Sequence, residues 1–320
     1  MEKLFFELIR VSTGQLDCLS RGPEPEEWNE LYEMARHQRL LGVCYRGAQH
    51  LFEFGLRVPQ DLIIDWMAEA EAIEQQNAIV DKRCAKVQQR LTERGMRASV
   101  LGGQGAAHDY VETLQSLRQP DGIDIYTDSK LEKVRKFVEL TGQEHVRHDN
   151  RQVYLEAWDD TAVRLHYQLY FGKNPLKSKK QRQWFKKNQR SMFMKDGEMT
   201  RPSASVNVIY LLVHLYWQFL YEGITLRDLM DCSCALKRAA AVEQQQVMDY
   251  GKVLKELGIY RFSQGVMYVM EEVFGLEKEA MVVEPLADKG DFILDEVMAG
   301  KHHFFHLFLK YPVEMLFSLL

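Results

Sequence analysis

No apolar run in this sequence is long enough to cross a bilayer. The longest, VIYLLVHLYWQFLY from Val208 to Tyr221, falls short of the ~20 residues a spanning helix needs and carries His214 and Gln218. It reads as a buried helix, and no membrane role is expected. Cysteine is scarce and odd in number: Cys18, Cys44, Cys84, Cys232 and Cys234. Only Cys232 and Cys234 lie close together, two apart, so reduced core thiols of a cytosolic protein are expected over a zinc site. A surplus of positive charge is missing too. The formal net charge of −5 excludes a globally basic binder of nucleic acid or acidic membrane, so any anion site must be local. There is no GxxxxGK[ST] phosphate loop, no Ser-His-Asp or Cys-His order, no internal repeat and no low-complexity tract. The opening MEKLFFELIRVS is too short and too charged for a signal peptide, which agrees with a cytoplasmic location.

What is present is ordinary globular material. With 46% hydrophobic and 27% charged residues over 320 positions, the chain can bury a large core in one to three domains. The first ninety or so residues look helical. From about Gln60 to Arg94, the residues Trp66, Ala70, Ile73, Asn77, Val80, Cys84, Val87 and Leu91 recur at spacings of four and three. That predicts one long amphipathic helix stopped by Gly95, its stripe packing on the rest of the protein or, less favoured, on a second copy.

The texture changes after Gly95. RASVL reads as a short strand, GGQG as a tight turn and AAHDYVETLQSL as a helix. A strand at Ile123–Thr127 follows, then the helix SKLEKVRKFVELTG, then two β-type runs, QVYLEAW and TAVRLHYQLYF, joined at Asp159-Asp160. The middle segment is therefore β-α-β-α-β-β between helical flanks. The expected division is a helical part over 1–95, an α/β core over 96–172, and a basic connector with a helical part over 173–320.

Two features of the core point to chemistry. Gly102, Gly103 and Gly105 sit between a strand and a helix, where glycines let backbone approach a phosphate, although such turns also need glycine for geometry alone. Asp124 opens a strand after a glycine-bearing loop, a context suited to Mg²⁺, which prefers hard oxygen ligands and substrate phosphates. Period-two alternation puts Asp124 and Tyr126 on one strand face, and Arg164, His166 and Gln168 on one face of the last strand. That polar row reads equally well as solvent-facing.

In this order the elements resemble the nucleotidyltransferase fold, and more narrowly the uncharacterised nucleotidyltransferase family common in bacteria. The residues carrying the resemblance are LGGQG (101–105), RQPDGID (118–124), RLHY (164–167), His214 and GITLRDLMD (223–231). It runs from roughly Arg36 to the late 290s. It implies an α+β fold: a small mixed sheet flanked by N- and C-terminal helical parts. It also implies transfer of a nucleoside monophosphate from an NTP to an acceptor with Mg²⁺. In that scheme Asp124 and Asp121 would hold metal and Asp124, Arg164 and His166 would form the catalytic set. Gly102, Gly103, Gln104, Gly105 and Arg118 would bind the nucleotide.

The departures from the family pattern are specific. Gly102 stands where the family has lysine, Gly122 where it has the first acid, and Arg164 where it has the third. Losing two of three carboxylates removes most of the charge that holds a divalent cation, and a guanidinium can fill that place beside Asp124. Asp121 or Glu156 could stand in for the lost acid. The competing expectation is a member without catalysis that binds nucleotide without metal, or RNA or protein through the basic segment 173–190 with its Trp184 and Phe185. His214 is expected as a hydrogen-bonded core histidine, Arg227 and Asp231 as an i,i+4 pair bracing the helical part, and His302–His306 as a packing segment.

Overall fold

The computed structural model describes residues 1–171, 175–242 and 248–300. Four helices come first: α1 (Glu2–Ser12), α2 (Pro25–His37), α3 (Leu41–Glu53) and α4 (Gln60–Glu93). Proline at its first position and Glu27, which accepts the Glu24 N–H at 2.9 Å, start α2. The stripe of α4 behaves as its spacing demands: Trp66, Ala70, Asn77, Val80, Cys84, Val87 and Leu91 are all buried within this one chain. Trp66 and Ala70 join the core of the flanking helices, whereas Val80, Cys84, Val87 and Leu91 join that of the sheet. One helix thus anchors the sheet to the helical body.

Next come β1 (Ser99–Leu101), α5 (Gly102–Ala107), α6 (Glu112–Gln115), β2 (Ile123–Tyr126), α7 (Leu131–Glu139), β3 (Gln152–Leu155) and β4 (Val163–His166). The strands form one mixed sheet in the order β1-β2-β4-β3, with β2 and β4 parallel and the other neighbours antiparallel. Ile123, Ile125, Val163 and Leu165 pack with α4 and α7, leaving the opposite face to Asp124, Arg164 and His166. The α+β expectation holds.

GGQG holds a kink at Gly103, with φ 40° and ψ −116°, a conformation open only to glycine, where a tight turn was expected. Two local expectations change. The following helix ends at Ala107, and Tyr110 just beyond it turns inward to donate to Asp231 at 2.8 Å. The two-residue turn at Asp159-Asp160 is instead a longer loop between β3 and β4, in which Arg83 holds Asp160.

The remainder is α8 (Pro175–Lys187), β5 (Met194–Asp196), β6 (Met199–Arg201), α9 (Ala204–Tyr221), α10 (Leu226–Val242), α11 (Tyr250–Leu257), α12 (Tyr260–Phe274) and α13 (Ala287–Ala299). The β5–β6 hairpin replaces what reads as continuous helix; Arg201 fixes it by donating to Asp109 at 2.6 Å and to the Gly105 carbonyl at 2.8 Å. Within α8, Trp184 and Phe185 are buried, so neither is free to stack on a base. The Arg10 guanidinium of α1 donates to the Glu271 carbonyl at 3.0 Å, and the Gln38 amide to the Val297 carbonyl at 3.0 Å. The first and last described helices therefore share one core. Lys173 of the basic run and the His302–His306 segment lie outside the described residues.

Candidate functional site

The polar face of the sheet is only partly open to solvent. With α9 and α10 it encloses a cleft of about 320 Å³. At its floor the parallel register sets Asp124 of β2 directly beside Arg164 of β4. Arg164 grips the carboxylate with both arms of its fork, Nε to Oδ1 at 2.7 Å and Nη2 to Oδ2 at 2.6 Å. His166 Nε2 reaches the same Oδ1 at 2.7 Å. Burial alone would raise the Asp124 pKa. The guanidinium charge and the bonds from Arg164 and His166 override it and hold the carboxyl far below the usual carboxylate range. With that carboxylate ionised, His166 Nε2 carries the proton of this bond.

A second layer of charge pairs closes one end. The Arg118 fork holds both oxygens of Asp231, at 2.7 and 2.6 Å, with Tyr110 as a further donor. Arg227 donates to Asp228 at 2.6 Å and to Asp121 at 3.2 Å, and Arg39 takes the other Asp121 oxygen at 2.9 Å. The expected Arg227–Asp231 pair is therefore absent: Arg118 saturates Asp231, and Arg227 turns to Asp121 and Asp228. The bracing of the helical part against the sheet is present, through these other partners. Burial would raise the Asp228 pKa, but Arg227 and the Thr225 donors bring it down to about 2.

The side wall is aromatic. His214 does not form the hydrogen bond expected of it among the described residues; its ring stacks between Tyr210 (5.7 Å, 14°) and Trp217 (6.1 Å, 15°). Burial pushes its pKa down to about 4, so it is neutral at pH 7. Arg151 lies over Trp217 at 5.1 Å. Gly102 and Gly103 contribute bare backbone, and a Cβ on Gly103 would come within 3.2 Å of the Gly122 carbonyl.

Of the residues singled out by sequence, Gly102, Gly103, Arg118, Asp121, Asp124, Arg164, His166 and His214 converge on this cleft. Gln104 and Gly105 do not. The Gln104 amide donates to Asp81 of α4 at 2.7 Å, and Gly105 packs on the Val100 backbone. Glu156 is exposed and lies 3.8 Å from Arg147. Arg151, Tyr154, Trp217, Gln218, Glu222 and Asp228 also line the cleft and were not foreseen. Alternation along β3 could have flagged Tyr154 with Gln152; Arg151 and Glu222 carry no pattern in sequence.

The donor set does not fit a divalent cation at Asp124. Both of its oxygens are spent on Arg164 and both Asp121 oxygens face arginines, whereas a hard cation needs carboxylate oxygens turned toward it. A family model described as uncharacterised nucleotidyltransferase matches residues 24–275. No curated protein and no solved structure matches the chain.

Proposed function

The chain belongs to the uncharacterised nucleotidyltransferase family, and on that premise we propose that its cleft binds a nucleoside triphosphate through guanidinium groups, without a divalent metal. Transfer of the nucleoside monophosphate is impaired in this reading. The observation that carries it is the two-armed Arg164–Asp124 pair, which puts a fixed positive charge where the family pattern would place an acid. A guanidinium has five N–H donors, and the pair uses two of them. The rest are available to phosphate oxygens, together with Arg151 on the side wall and the backbone at Gly102-Gly103. His166 holds Asp124 in place from the other side. Arg118 is buried behind its bonds to Asp231 and the Gln119 carbonyl and supports the cleft instead of touching ligand.

Calorimetric titration of ATP and GTP, with Mg²⁺ and with EDTA, tests this reading. Binding is expected to be unchanged by EDTA and to weaken about tenfold or more in Arg151→Ala, the loss of a charge-assisted hydrogen bond worth about 1.5–3 kcal/mol. Binding that requires Mg²⁺ and vanishes in Asp124→Asn would refute it and restore the metal-dependent mechanism.

A further inference from the structure

The basic segment is the strongest feature the cleft leaves unused. From Thr161 to Lys195 the chain holds no aspartate or glutamate, although the whole protein carries a net charge of −5. The structure turns part of that run into α8 and sorts its residues by face. Ser178, Gln181, Trp184 and Phe185 are buried, while Lys179, Lys180, Arg182, Lys186 and Lys187 are exposed. At 100° per residue the five cations fall within an arc of about 160°, opposite the buried side. The side chains of Lys179, Lys180, Lys186 and Lys187 make no ion pair or hydrogen bond among the described residues. Such a stripe, held by a buried Trp184–Phe185 pair at 5.1 Å, is a rigid row of uncompensated charge.

The helix that carries this row packs, through its opposite buried face, on residues that line the cleft. The Gln181 side chain accepts the Phe171 N–H at 2.7 Å, and Phe185 packs against Tyr210 at 6.5 Å; Phe171 and Tyr210 both line the cleft. Farther along the cleft, Trp217 and Tyr154 are half-buried rings, each faced by an arginine, Arg151 at 5.1 Å and Arg147 at 4.2 Å. Charge tracking a backbone beside aromatic faces that accept any base is how proteins hold single strands. Gln218 and Glu222 add acceptors on the same wall, and neither side chain has a hydrogen-bond or ion-pair partner among the described residues. Carboxylate and amide oxygens suit ribose hydroxyls, which separates an RNA end from a DNA one.

We infer that α8 is the landing surface for a single-stranded RNA whose end enters the cleft. The proposal rests on the nucleotide-cleft reading only in taking the same cavity as the end point. RNA is then the partner that brings a terminal nucleotide to Trp217 and Glu222, with its preceding phosphates along α8.

The test uses the full chain and a 5′-labelled fifteen-nucleotide RNA followed by fluorescence anisotropy over a salt series. In Lys179→Gln/Lys180→Gln/Lys186→Gln/Lys187→Gln, all exposed positions, the slope of log affinity against log salt should become shallower by about 3, at about 0.7 per phosphate contact. Affinity at moderate salt should fall at least tenfold, while the ATP isotherm stays as in the parent. Glu222→Ala should narrow the preference for RNA over the matching DNA. Equal RNA binding by parent and quadruple variant would overturn the inference. So would DNA bound as tightly as RNA, or tighter binding to phosphatidylserine vesicles than to RNA. If RNA fails but ATP binds in EDTA, only this inference falls; if ATP binding requires Mg²⁺ while RNA binding follows α8, only the cleft reading falls.

Discussion

Replacing Arg164 with glutamine probes the pair on which the cleft is built. The Arg164 and Asp124 side chains are 30% and 17% exposed, so water reaches the pair but does not surround it. Removing one partner of a fully buried pair costs about 3–5 kcal/mol, because the other charge is left unmatched. The exposure here brings Arg164→Gln to about 3 kcal/mol. Asp124→Asn should cost less, about 2 kcal/mol, since the freed guanidinium can turn toward solvent. The double variant, with two neutral amides, should cost only about 2 kcal/mol in total, which gives a coupling energy of about 3 kcal/mol. Urea denaturation at pH 7 of the four proteins measures all of this. The pH dependence adds a check of sign. In the parent the folded Asp124 pKa lies below its unfolded value. Its contribution is therefore present above about pH 4 and lost as pH falls toward the folded pKa. In Arg164→Gln the burial penalty loses its main opponent and the folded pKa rises, so the deficit against the parent narrows as pH falls through about 4. A coupling energy below about 0.5 kcal/mol, or a deficit that widens in acid, would refute the reasoning.

Further predictions follow from single residues. Gly122 has φ +105°, and an added Cβ would lie 2.7 Å from the Ala162 carbonyl, so Gly122→Ala should cost about 2–3 kcal/mol in urea denaturation. Asp228 falls from its ordinary 3.8 to about 2, so Asp228→Asn should remove about 2 kcal/mol at pH 7 and flatten the loss of stability between pH 4 and 2. Arg118→Ala leaves the Asp231 carboxylate buried with only Tyr110 as side-chain donor; a loss of about 3–5 kcal/mol is expected by thermal or urea melting. Trp66→Ala empties a fully buried site on α4 and should cost about 3–5 kcal/mol, measured the same way.

Much of the fold could be read from residue spacing. The α4 stripe was legible because seven of its eight named positions are buried at intervals set by the helical turn. The Asp124 and Arg164 faces were legible because alternation leaves little choice once Ile123, Ile125, Val163 and Leu165 must be buried. What escaped was decided by partners distant in sequence. Asp231 belongs to Arg118, 113 positions away, and not to its helical neighbour Arg227. The β5–β6 hairpin spans only eight residues and exposes or half-exposes most of them, so it has no apolar alternation to announce it. Trp184 and Phe185 look available for stacking in a run of lysines, yet they are the buried anchor that sets the lysines outward. The same limit applies to Arg151 and Glu222, which reach the cleft from loops whose course only the folded chain defines.

If a guanidinium stands in the metal's place, direct metal binding is the sharpest test of it. Mn²⁺ would be titrated into the protein with a non-hydrolysable ATP analogue, following the free-ion EPR signal, and the titration repeated on Asp124→Asn. The same isotherm is expected for both proteins, with only the weak binding that the nucleotide itself contributes. One tightly bound Mn²⁺ per chain that disappears in Asp124→Asn would contradict it.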